Sequence, residues 1–236
     1  MKTMMLKAAD GSGEFAAHLY EPAATQGGAM RGAVVVIQEI FGVNDALRAT
    51  CQELAAMGFI AIAPDLFWRQ EPNVDLTDKS EGEWKKAFAL MNGFDQDKGI
   101  DDLKVTLDAA RALPGASGKV GTIGFCLGGR LAVMMATRSD ADVNVSYYGV
   151  GLDGLVPEFG HIKAPLLVHI AEQDEFAPAD KTAKVMAAAE HQPLIDAHIY
   201  PAVHHAFARV KGVHYDARAA TIANGRTAAL LAETLG

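Results

Sequence analysis

The chain has 236 residues, half of them hydrophobic and 21% charged, enough apolar material to bury a core of single-domain size. Its net charge of -8 is spread without long runs of one sign, which argues against nucleic acid or a polyanionic membrane as partner and leaves a small anionic substrate open. Two cysteines, Cys51 and Cys126, are too few for a disulfide framework. An N-terminus without a signal-like apolar core, and no window near about 18 uninterrupted apolar residues, add the expectation of a cytoplasmic protein with no membrane span.

In chain order, LKAADGSGEFAAHLYEP predicts two antiparallel strands around a DGSG turn, and ATQGGAMRG a glycine-rich loop. GAVVVIQ is a continuous β-branched run, the mark of a strand buried on both faces. Over residues 45–57, Leu47, Thr50, Cys51, Leu54 and Ala55 recur at helical spacing, with Asp45 as N-cap and Gly58 as the stop. Cys51 lies on the apolar stripe of that helix, so packing is its expected role. FIAIAPD is the next buried strand, followed by polar helical segments through Asn92. Residues 95–113 carry Ile100, Leu103, Leu107 and Ala110 on one stripe that ends at Pro114. Strand KVGTIGF, helix LGGRLAVMMATR, strands VNVSYYG and APLLVHIA, a helix over 180–190, strand LIDAHIYP and a final helix to Leu235 complete the chain. This alternation predicts an α/β fold: one domain over residues 1–236, with a mostly parallel, doubly wound sheet and helices on both faces.

In such sheets functional groups gather where strands end at their carboxyl side. Cys126 follows KVGTIGF within G-x-C-x-G-G; Asp174 follows APLLVHIA; His204 and His205 follow LIDAHIYP; Glu39 follows GAVVVIQ. Nucleophile, acid and histidine in that order, with the first at a strand–turn–helix junction, match the nucleophile elbow of α/β-hydrolases with Cys in place of Ser. Gly124 and Gly128 keep bulk from the point where strand and helix backbones nearly touch. A helix starting at Leu127 turns its positive end and free N–H groups toward the sulfur, which favours thiolate and makes the Leu127 N–H a candidate oxyanion donor. His204 and His205 are adjacent, so their side chains diverge and only one can serve. His204, His205 and His214 lack a second pair of ligands for a metal.

QEIFGVN (38–44), APDLFWRQ (63–70), GFCLGG (124–129), YYGVG (147–151), AEQDEFAP (171–178) and HAFAR (205–209) together resemble the dienelactone hydrolase family, the carboxymethylenebutenolidases, in the same order across nearly the whole chain. The resemblance implies a hydrolase that opens an enol lactone, dienelactone to maleylacetate, in aromatic-hydrocarbon catabolism. It implies Cys126 as nucleophile, His205 rather than His204 as base, and Asp174 as the carboxylate that orients it. It further implies Glu39 in activation of the thiol, the Ile40 and Leu127 N–H groups as oxyanion hole, and Arg209 as partner of the substrate carboxylate. Arg209 would sit one helical turn past the histidine. A carboxylate beside the sulfur disfavours thiolate, so substrate binding that moves Glu39 would release the nucleophile only when needed and protect it from oxidation.

The chain departs from the family pattern in the helix before Phe94. Trp84 stands where the family has a second substrate-binding arginine and Phe88 where it has a tyrosine. Trp84 could stack on a flat substrate ring or close the pocket, and the pair at i and i+4 could equally be a core stripe. Two further functions stay open: a carboxylesterase of other preference on the same residues, or a non-catalytic thiol-sensing or binding protein on this scaffold. No Walker A, dinucleotide fingerprint or paired metal ligands are present, so no cofactor is expected. The expected partner is a small anionic lactone or ester, with no nucleic acid and no membrane, and the expected assembly a monomer or small homo-oligomer.

Overall fold

The computed structural model describes residues 1–23 and 31–236; most of the expected glycine-rich loop, residues 24–30, lies outside them. In chain order the elements are β1 (Lys2–Lys7), β2 (Glu14–Tyr20), β3 (Arg31–Ile37), α1 (Asp45–Ala56), β4 (Ile60–Pro64), α2 (Glu81–Asn92) and α3 (Gln96–Arg111). They continue as β5 (Ala116–Phe125), α4 (Leu127–Arg138), β6 (Val143–Tyr147), β7 (Leu166–Gln173), α5 (Ala179–Ala189), β8 (Ile195–His204) and α6 (Ala217–Leu235). The eight strands form one sheet in the order β1-β2-β4-β3-β5-β6-β7-β8. The β1/β2 and β2/β4 pairs are antiparallel, and β3/β4, β6/β7 and β7/β8 are parallel. Packing divides the chain into two compact units, Met1–Gly121 with Leu235–Gly236, and Thr122–Thr234.

In the first unit Val34, Val35, Val36 and Ile37 of β3 are fully buried, each such side chain worth about 1.5–3 kcal/mol of transfer free energy. The α1 cap differs from expectation. Asn44 is extended and its side chain accepts from the Leu47 N–H at 3.1 Å, while Asp45 sits in the first turn and pairs with Arg48 at 2.6 Å. Asn44 wins because its amide also donates to the Leu76 carbonyl at 3.0 Å, bonding in two directions where a carboxylate only accepts. The polar helical segments expected through Asn92 shrink to α2 alone, which starts behind Ser80, whose hydroxyl accepts from the Glu83 N–H at 3.3 Å. Residues 65–80 are a loop instead: Asp65 accepts from the N–H groups of Phe67 (3.1 Å) and Asn73 (2.7 Å), and Asn73 takes a left-handed φ of 60°. The loop is also tied down by Asp102, fully buried in α3, which accepts from the Trp68 indole and the Arg69 guanidinium.

In the second unit, α4 is buried along nearly its whole length, and β6 is buried throughout. A 3-10 segment, Leu152–His161, was not legible beforehand; it contains Pro157 and buries Leu152, Leu155 and Phe159. Proline inside it removes an N–H donor, which suits a short, tight helix better than a long α-helix. Among the described residues no helix is long and apolar enough to cross a membrane.

Candidate active site

The second unit gathers three of the expected residues. β5 ends at Phe125 and α4 begins at Leu127, leaving Cys126 as the single residue of the turn, at φ 55° and ψ -114°. A side-chain-bearing residue in that region is strained by about 1–3 kcal/mol and persists only where its surroundings hold it. They do: the Cys126 N–H donates to the Tyr147 carbonyl at 3.0 Å, and the Cys126 carbonyl accepts from Arg130 N–H at 3.1 Å. The glycines explain how the turn closes. A Cβ on Gly124 would overlap the Gly128 carbonyl, and one on Gly129 would lie 2.6 Å from the Tyr147 oxygen and 2.9 Å from the Gly149 Cα. Cys126 is 9% exposed and sits at the N-terminus of α4, where first-turn N–H groups lack intrahelical acceptors; Leu127 carries one of them.

Asp174 follows β7 and His205 follows β8, and both are 5% exposed. One Asp174 oxygen accepts from the Phe176 N–H at 2.9 Å and so shapes its own turn; the other meets His205 Nδ1 at 2.8 Å. His205 also shares a hydrogen bond with Cys126. Burial alone would depress its pKa, but the electrostatic effect of Cys126 and the hydrogen bond that His205 donates to Asp174 outweigh this and raise it to about 10. His205 is thereby held protonated between Asp174 and Cys126. His204 is exposed and turns its ring toward His214, with centroids 5.1 Å apart, so adjacent side chains diverge as backbone alternation requires.

Two aromatic neighbours of His205 were missed. Tyr148 lies edge-on to its ring at 5.1 Å and has a left-handed φ of 38°, with its N–H donating to the His169 carbonyl at 2.7 Å. Phe176 meets the ring at 4.8 Å. Both sit inside motifs already noticed, YYGVG and AEQDEFAP, but neither bears reactive chemistry that would draw the eye. Arg209 is half-buried and not on a helix: residues 206–214 form successive turns, with Ala206 at φ 65° and Arg209 N–H donating to Ala206 O at 3.0 Å. The expected helical turn fails because that left-handed residue directly follows His205.

The remaining expected residues belong to the first unit. Glu39 and Ile40 follow β3 and are buried. Trp84 and Phe88 of α2 are half-buried and stack on each other at 5.5 Å, with the Trp84 ring edge-on to Phe41 at 5.0 Å. The indole N–H donates to the Asp78 carbonyl at 3.0 Å. Among the described residues no group of three or more His, Cys, Asp or Glu side chains could hold a metal ion.

A mostly parallel sheet with an antiparallel start, carrying a cysteine elbow, an acid after β7 and a histidine after β8, defines an α/β-hydrolase. A structure from Klebsiella pneumoniae, provisionally named a dienelactone hydrolase, shares this fold at a TM-score of 0.85 over 98% of both chains, with 24% identity. The model of the dienelactone hydrolase family matches residues 15–235, and the chain belongs to that family. A protein of Azospirillum brasilense provisionally named carboxymethylenebutenolidase is 53% identical over 225 residues, 95% of each chain. Carboxymethylenebutenolidase 1 of Cupriavidus pinatubonensis is 38% identical over 220 residues, 93% of this chain and 92% of that one. The protein is a hydrolase of ester or lactone bonds.

Proposed function

We propose that this hydrolase opens an activated enol lactone, dienelactone to maleylacetate, through a thioester on Cys126. The observation that carries the reading is the hydrogen-bonded series Asp174–His205–Cys126, with the sulfur on a strained elbow at the start of α4. The Cys126 thiolate attacks the lactone carbonyl, and the negative charge passes to the carbonyl oxygen. Collapse of that adduct breaks the ring C–O bond and expels an enolate, which takes the proton held by the His205 imidazolium. Water then attacks the thioester while neutral His205 accepts one of its protons; collapse expels the thiolate and so restores the starting pair, and the acyl group leaves as a carboxylic acid that ionises to solvent. Thiolate is expelled from a tetrahedral adduct more readily than an alkoxide, so alkyl esters tend to revert where an enol ester goes forward.

The family pattern supports further roles: the Leu127 and Ile40 N–H groups as oxyanion donors, Glu39 in activation of the thiol, and Arg209 as partner of an anionic substrate. It also supports the whole chain as one catalytic domain. Trp84 and Phe88, stacked rather than charged, favour a second reading in which the same residues act on an ester of flatter, more apolar shape.

The test is loss of dienelactone ultraviolet absorbance by wild type and Cys126→Ala. Turnover lost in the variant supports both reaction and substrate. No turnover of dienelactone, with a p-nitrophenyl ester burst dependent on Cys126, keeps the mechanism and moves the substrate to the second reading. Iodoacetamide should label Cys126 and spare Cys51, whose thiol burial pushes up to about 12.

A further inference from the structure

The core of the second unit holds a chain of polar side chains that the reaction does not use. His169 on β7 is fully buried; its Nδ1 lies 2.9 Å from the Tyr200 hydroxyl and its Nε2 3.0 Å from the Thr227 hydroxyl. Thr227 Oγ1 is also 2.7 Å from the Tyr147 hydroxyl, which donates to Asn224 Oδ1 at 3.0 Å, while Arg226 donates to the Tyr200 hydroxyl at 2.8 Å. The donor inventory orients every bond. Tyr147 spends its one proton on Asn224, so Thr227 donates to Tyr147 and accepts from His169 Nε2–H; the neutral imidazole then accepts at Nδ1 from Tyr200. Tyr200, His169, Thr227 and Tyr147 are buried, and turning any of them leaves a buried neighbour unpaired, while Asn224 and Arg226 at the two ends are exposed.

Two members of this chain, Tyr147 and His169, touch the candidate active site through main chain. The Tyr147 carbonyl accepts the N–H of Cys126, and the His169 carbonyl accepts the N–H of Tyr148, whose ring lies against His205. Cys126 and Tyr148 are both at positive φ, conformations that relax unless something holds them. We infer that Thr227, His169 and Tyr147 are positioning residues for the hydrolysis: their hydrogen-bonded chain, anchored on α6, holds the Tyr147–Tyr148 backbone and thereby the strained Cys126 elbow and the face of His205. Thr227 is the keystone, because its single hydroxyl both accepts from His169 and donates to Tyr147. The inference rests on Cys126 and His205 being the reacting pair.

Thr227→Val keeps the shape and removes the hydroxyl; Thr227→Ser returns it. Three quantities would be compared with wild type: kcat and KM for p-nitrophenyl acetate, and the rate constant for alkylation of Cys126 by iodoacetamide. In Thr227→Val, kcat and the alkylation rate should fall together by about tenfold, with KM moved by less than about twofold, and Thr227→Ser should recover most of both. Wild-type values of both in Thr227→Val would overturn the inference, and so would equal losses in the Val and Ser variants. If Thr227→Val does not fold, Tyr147→Phe keeps the ring and breaks the same link. The same paired loss supports the inference there, and wild-type rates overturn it. Cys126→Ala is run alongside. Undiminished turnover in that variant would sink the thioester mechanism, and the alkylation rates alone would then judge the positioning chain.

Discussion

The two units solve the problem of left-handed backbone differently. Among the described residues of the first, such positions fall on Gly11, Gly13, Gly42, Gly58, Gly115 and Gly118, with Asn73 as the exception. In the second, Gly151 is joined by Cys126, Tyr148, Ala202, Ala206 and Lys211, all bearing side chains. Glycine adopts these conformations at no steric cost; the others each carry about 1–3 kcal/mol of strain. Three of the five gather at the candidate site: one is the candidate nucleophile, one packs its ring on His205, and one directly follows His205. Turns that only reverse the chain use the relaxed solution, whereas turns that must present a side chain at a fixed angle accept the strain.

Replacing the elbow residue tests this most severely. Cys126→Ala and Cys126→Gly should both lose hydrolysis by about 10⁴-fold or more. Cys126→Gly should nevertheless be the more stable of the two by about 1 kcal/mol, because glycine relieves the left-handed strain that alanine keeps. Equal thermal midpoints would break the comparison. The converse change in the first unit is Gly42→Ala, at φ 79° with its Cβ falling on the Val74 carbonyl. Denaturant unfolding should show a loss of about 2–4 kcal/mol there.

Two histidines of the second unit bound its stability in pH. Burial pulls His169 down to about 3, helped by the charges of His198 and Arg226, so its folded value lies below the unfolded one near 6.5. Its contribution is complete above pH about 6.5 and disappears as pH falls toward 3, with about 2 kcal/mol gone by pH 5. His205 has the opposite sign: raised to about 10, it contributes fully below pH about 6.5 and loses that contribution as pH rises through 10. Its ring resonances should stay those of the imidazolium across neutral pH in wild type and titrate at lower pH in Cys126→Ala. An unchanged titration in the variant would show that Cys126 does not set it. The smallest expected effect is at Gly225, inside α6 and open to solvent, where alanine should add about 0.5–1 kcal/mol by removing backbone freedom from the unfolded chain.

Much of this was legible in the sequence because the signals are local. β-Branched runs mark β3 and β4, helical stripes mark α1 and α3, and the spacing of glycines around Cys126 marks an elbow. The order of Cys126, Asp174 and His205 at successive strand ends named candidate partners, and the choice of His205 over His204 came from the family motif. Errors arose where bonding partners lie far along the chain. Asn44 took the α1 cap from Asp45 through Leu76, and residues 65–80 became a loop held by Gln38 and Asp102 rather than a helix. The turn carrying Arg209 escaped because the left-handed φ of Ala206 leaves no mark in residue type.

What the sequence determined by itself, then, is the alternation of strands and helices, the elbow, and the identity of the residues at the strand ends, since each follows from side-chain period or a short motif. Only the tertiary structure decided that Tyr148 and Phe176 face His205, and that His169, Thr227 and Tyr147 form one directed chain of hydrogen bonds. Those facts depend on distances between residues as much as 80 positions apart, such as Tyr147 and Thr227. A hydrogen bond is decided within a few tenths of an ångström, and no pattern along the chain encodes a distance across it.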